Sequence, residues 1–79
     1  MTKVFMPEWI EVTLENNEGG AEVITYTLDS KDSAELEESV PRFIMRVRDT
    51  AENDYRGYKV TEIVWHSADH GELYTEIIY

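Results

Sequence analysis

The sequence predicts an α+β domain of ββαββ order, a four-stranded, mostly antiparallel sheet with one helix packed on one face. Three observations predict it. Two-residue alternation runs through both ends of the chain, one apolar stripe at three- and four-residue spacing fills the middle, and turn-forming residues separate the segments. Residues 1–79 form a single domain, near the size at which one core only just outweighs chain entropy, so that a partner or a second copy would help.

From Trp9 to Glu15, Ile10, Val12 and Leu14 fall on one side and Trp9, Glu11, Thr13 and Glu15 on the other, the period of a half-buried strand. NNEGG at residues 16–20 is a turn signal, and residues 21–28 read as a second strand rich in β-branched and aromatic side chains. A five-residue loop sets Val12 opposite Ile24 and Ile10 opposite Tyr26, bringing both apolar sets to one face.

Asp32 followed by Glu35 resembles a capping box and marks a helix start. Leu36, Val40, Phe43, Ile44, Val47 and Ala51 form one stripe whose phase persists across Pro41, which predicts one helix, kinked or restarted at that proline. The competing reading is a helix beginning near Val40 with a separate turn before it. Either way the helix ends by Arg56-Gly57. Residues 58–67 and 72–79 are the last two strands, joined by an Asp69-His70-Gly71 loop that pairs Ile63 with Ile77 and Trp65 with Thr75 inside, and Val64 with Glu76 and His66 with Tyr74 outside.

Charge is the other informative feature. Residues 1–30 carry −5, residues 31–57 carry −2 and residues 58–79 carry −3 of a formal net charge of −10. The helix nearly balances itself, with Glu38 and Arg42 at i, i+4 spacing, whereas the sheet segments do not. Nucleic acid and anionic lipid would be repelled as direct ligands, and a basic protein surface is the natural partner. The plain alternative is that the acidity serves solubility. One helix covers one side of the sheet, leaving on the other Trp9, Glu11, Thr13, Glu15, Val23, Thr25, Tyr58, Val60, Glu62, Val64, His66, Glu72, Tyr74, Glu76 and Ile78. Alternate strand residues lie about 6.8 Å apart, so rows of carboxylates on that face would meet lysines and arginines that otherwise grip a nucleic-acid backbone. Val60, Val64, Tyr74 and Ile78 offer a second use for the face, as a homodimer contact.

No catalytic, cofactor or metal site is expected. The chain has no cysteine, no serine or threonine beside a base in a recognisable motif, and no phosphate-binding glycine loop. His66 and His70 in HSADH have the spacing of a zinc-binding helix, but they fall at a hairpin turn, where i, i+4 residues do not share a face. There is no signal-peptide pattern and no apolar run of the roughly 20 residues a membrane span needs, so a soluble, intracellular protein is expected.

With its acidic sheet (Glu11, Glu15, Glu22, Glu62, Glu72, Glu76) and acidic helix start (Asp32, Glu35, Glu37, Glu38), the chain resembles the small, cysteine-free acidic proteins that bacteriophages encode against host defence, above all the anti-CRISPR proteins. The resemblance is one of size and charge over the whole chain, without a shared motif. It implies a non-catalytic inhibitor in the cytoplasm of an infected bacterium. Such an inhibitor would sit on a basic DNA-binding surface of a CRISPR surveillance complex, probed first with a type I complex, and block target DNA as a DNA mimic. Toxin-neutralising immunity proteins are similar in size and acidity. The expected partner-binding residues are Glu11, Glu15, Asp32, Glu35, Glu37, Glu38, Glu62, Glu72, Tyr74 and Glu76.

Overall fold

The computed structural model describes residues 7–67 and 71–77, with side chains described as far as Ser67. Strand β1 (Trp9–Glu15) and strand β2 (Ala21–Thr27) form the first hairpin. Their register sets Ile10 opposite Tyr26, Val12 opposite Ile24 and Leu14 opposite Glu22, as the alternation and loop length require. The loop is closed by Asn16, whose Oδ1 accepts hydrogen bonds from the backbone N–H of Glu18 at 2.9 Å and of Gly20 at 2.7 Å. Gly19 has φ 84°, a left-handed conformation that glycine adopts without steric cost.

Helix α1 (Ser30–Glu38) and helix α2 (Val40–Asp54) replace the single helix expected for this stretch, so the order is ββααββ. The one-helix ββαββ reading is corrected for a local reason. Ser39 is extended, at φ −164° and ψ 112°, and its N–H donates to the Glu35 carbonyl to finish α1 while its Oγ accepts from Arg42 N to start α2. Pro41 lies in the first turn of α2, where a missing N–H costs nothing. The apolar stripe runs on through the break: Leu36, Phe43, Val47 and Ala51 are buried, and Val40 and Ile44 pack beside them. The helix start is also corrected. Asp29 is the N-cap, bonded to the Asp32 N–H at 3.0 Å, and Asp32 is the third helical residue, whose carboxylate accepts from the Asp29 N–H at 3.0 Å. After α2, Gly57 turns the chain at φ 88°.

Strand β3 (Lys59–Ser67) lies antiparallel beside β1, and strand β4 (Gly71–Ile77) pairs with β3, giving the order β2-β1-β3-β4. The three strands β2-β1-β3 carry the described core. Between β1 and β3 the register shifts: Thr13 faces Glu62, but Leu14 faces Val60, so Thr61 is an extra, bulged residue. This reverses the expected assignment of what precedes it. Val60 is 3% exposed in the core, and half-buried Tyr58 packs against the core with its ring edge-on to Tyr55, centroids 6.3 Å apart. Glu52 of α2 accepts a 2.9 Å hydrogen bond from the Val60 N–H, tying the helix to the bulge. The β3–β4 register differs from expectation by one residue, with Ile63 opposite Glu76, Val64 opposite Thr75 and Trp65 opposite Tyr74, and it shifts again before His66, which faces Glu72. The loop assigned to Asp69-His70-Gly71 lies outside the described residues except for Gly71, which opens β4.

The core is therefore one layer of side chains between the sheet and the two helices: Ile10, Val12 and Leu14 of β1, Val60, Ile63 and Trp65 of β3, and Leu36, Phe43, Val47 and Ala51 from above. Phe43 and Trp65 meet at its centre, ring centroids 5.8 Å apart. The bulge predicts a contrast between two valines that simple alternation places on the same face. Val60→Thr should cost about 1–3 kcal/mol in urea unfolding by burying a hydroxyl, while Val64→Thr should cost about 0.5 kcal/mol or less. Equal losses would place Val60 outside the core.

Candidate acidic interface

The carboxylates expected to bind a partner divide into those that the fold already uses and those that it leaves free. Asp32 and Glu35 belong to the first group. Arg46, in the second turn of α2, donates from Nη2 to Asp32 Oδ1 and from Nε to Glu35 Oε1, each at 2.6 Å. Its guanidinium also lies 5.2 Å from the Phe43 ring centroid. One cation thus clamps α1 onto α2 across the break at Ser39, and the bonds to both carboxylates raise its already high pKa, Glu35 contributing most. The balance expected between Glu38 and Arg42 is absent: the helix break separates them, and no ion pair joins them.

On the open face of the sheet, Glu11 Oε1 stands 2.6 Å from His66 Nε2, an ion pair whenever the imidazole is protonated. The same imidazole is stacked on the Trp9 indole, centroids 3.8 Å apart and planes 4° from parallel. His66 faces Glu72 and not Tyr74 in the register, and its side chain, 13% exposed, lies against Trp9. Trp9 and His66 are cross-strand partners, so register alone brings the rings together. Glu15 accepts a 3.0 Å bond from the hydroxyl of the bulged Thr61 yet remains exposed. Lys59 faces Glu15 in the register without forming an ion pair to it.

What remains lies in two places. Glu37 and Glu38 are exposed at the end of α1. At the loop end of the sheet, exposed Glu15 and half-buried Glu62 share the open face, exposed Glu18 rides the loop between β1 and β2, and exposed Glu22, opposite Leu14, stands on the helix-facing side of the edge. Glu22 reads as marginal to the buried side in the sequence. It is exposed because β2 is an edge strand and the buried helical residues pack over β1 and β3. Glu72, Tyr74 and Glu76 have strand positions in β4, but their side chains lie outside the described residues.

The homodimer contact expected on the open face loses part of its basis. Val60 is in the core, Ile78 and the Tyr74 side chain lie outside the described residues, and Val64 alone stays on that face. The described residues hold no group of three histidine, aspartate or glutamate side chains placed to bind a metal ion, and none of their helices is long and apolar enough to cross a membrane.

Two predictions follow from the clamp and the cap. Arg46→Met should destabilise by about 1 kcal/mol in low salt, with the loss shrinking at 1 M salt, because the guanidinium is 47% exposed and its pairs are partly screened. An unchanged midpoint at low salt would make the clamp incidental. The Asp32 amide, bonded to Asp29, holds the Asp29 carboxyl below the usual carboxylate range. Its contribution to α1 is therefore complete above about pH 4 and is lost as the pH falls through the lowered value. Asp29→Asn keeps a capping acceptor that does not titrate, so the acid-induced loss of helix signal in circular dichroism should begin at lower pH in that variant; coincident curves would assign the acid sensitivity elsewhere. No protein-family model, curated protein or solved structure matches this chain.

Proposed function

We propose that this chain is a non-catalytic acidic inhibitor that occupies a basic nucleic-acid-binding surface of another protein and mimics the charge of the displaced strand. The observation that supports the reading is the group of carboxylates at the loop end of the sheet. A single internal cation, Arg46, pairs with both Asp32 and Glu35, but Glu15, Glu18, Glu22 and Glu62 have no ion-pair partner among the described residues. The chain supplies no base between residues 4 and 30 to balance the hairpin. A basic groove would find these carboxylates on a rigid, hydrogen-bonded scaffold, with Val23 57% exposed nearby to pack against apolar side chains at the contact. Binding through such a surface depends strongly on salt, since steering by net charge is screened beyond a Debye length of about 8 Å at physiological ionic strength.

Size and charge that resemble the anti-CRISPR proteins make a CRISPR surveillance complex the first target to test, beginning with a type I complex. Added in excess, the protein should prevent that complex from binding target DNA, and the block should weaken as salt rises. The combined variant E15K/E18K/E22K/E62K should lose the block by at least about tenfold, from the loss of several rim charge contacts, while melting within a few degrees of the parent. Full inhibition by the reversed variant would rule out charge mimicry. Failure to inhibit any nucleic-acid-binding complex would rule out the target class.

A further inference from the structure

The outer side of β2 is the least protected edge in the described structure. Leu28 N–H donates to the Glu8 carbonyl at 3.0 Å and Asn16 N–H to the Gly20 carbonyl at 3.0 Å, which fixes the alternation along the hairpin. Tyr26, Ile24 and Glu22 therefore turn their backbone groups toward β1, and Ala21, Val23, Thr25 and Thr27 turn theirs away from it. Those four residues are all exposed, and among the described residues no strand pairs with them. Natural edges are usually guarded by lysine, proline or a bulge. AEVITYT has no lysine and no proline, and its pairing with β1 is free of register shifts, unlike the pairings of β3 with β1 and with β4.

We propose that this edge is a homodimer interface, at which β2 pairs antiparallel with β2 of a second copy about a two-fold axis through Ile24. One register uses every outward group: Ala21 against the partner's Thr27 and Val23 against the partner's Thr25, with the reciprocal pairs generated by symmetry. The choice of a second copy rests on charge. Glu22 is the only ionisable carboxylate in the strand, and this register places each Glu22 beside the partner's Tyr26, about 14 Å from its own counterpart, beyond the reach of screened repulsion at physiological salt. Ile24 meets its symmetry mate on the helix-facing side, where Ile24 and Tyr26 are only partly buried within one chain. The strand is complementary to itself although the whole molecule is strongly acidic. Glu22 and Val23 belong both to this seam and to the surface proposed for inhibition, whereas Glu15, Glu18 and Glu62 lie off β2, so E15K/E18K/E62K tests inhibition without altering the seam.

Light scattering should show a dimer whose affinity rises with salt, as repulsion between the two acidic bodies is screened, the opposite of the salt dependence expected for a basic partner. V23E/T25E puts like charges opposite each other in both central pairs and should weaken dimerisation by about tenfold or more; V23K/T25E puts opposite charges there and should restore it. Because the chain has no cysteine, Ile24→Cys should form a disulfide-linked dimer on mild oxidation, the two positions facing each other as a close non-hydrogen-bonded pair. Thr25→Cys, out of register with itself, should cross-link far more slowly. A wild-type monomer at high concentration, equal behaviour of the two charge variants, or equal cross-linking at positions 24 and 25 would each overturn the proposal.

Discussion

Everything in this fold is arranged around one strand that must be hydrogen-bonded on both edges and covered on one face. Ile10, Val12 and Leu14 of β1 are each fully buried, and β1 is bonded to β2 on one side and β3 on the other. Two short helices supply the cover. Because only a single layer of side chains lies between helices and sheet, each of the few large residues fills space that no other residue can reach, and Phe43 and Trp65 fill the middle. The bulge at Thr61 belongs to the same constraint: it turns Val60 inward beside Leu14 at the point where α2 ends and β3 begins.

Placing the hairpin from sequence works because two independent signals agree there, the alternation of apolar residues and the length of the loop, and a one-residue slip would expose every inward side chain. Neither signal exists where the reading fails. A bulge inserts one residue without altering composition, so residues 58–67 keep an apparent two-residue period although Tyr58 and Val60 belong to the opposite phase. The helix break is hidden for a related reason: Ser39 interrupts the hydrogen bonds while the stripe from Leu36 to Ala51 remains in phase. Asp29 and Asp32 are both residues of capping type three positions apart, and only geometry shows that they cap each other.

The acidic site is readable only in part. Composition shows the surplus of carboxylates, but their neutralisation depends on contacts between elements. Arg46 lies 11 residues from Glu35 and 14 from Asp32, and the helix break brings the three together. His66 reaches Glu11 across the β1–β3 pairing. With Arg46 assigned to Asp32 and Glu35, carboxylates without an ion-pair partner remain at the end of α1, Glu37 and Glu38, and around the loop end of the sheet, where Glu18 and Glu22 join Glu15 and Glu62 from positions that alternation alone does not mark as important.

The clamp made by Arg46 joins groups close in sequence, so α1 and α2 can meet through a short loop closure, whereas pairing Trp9 with His66 and Ile10 with Trp65 requires the intervening length of chain to be brought back on itself. Closing the longer loop carries the larger entropic penalty and slows the search. Docking of β3 against β1 therefore carries the larger loop-closure cost, while the contact that Arg46 makes between the helices closes a short loop. A ribosome would release the hairpin and both helices ahead of β3, leaving the β3-facing side of β1 unpaired until residues 59–67 have emerged.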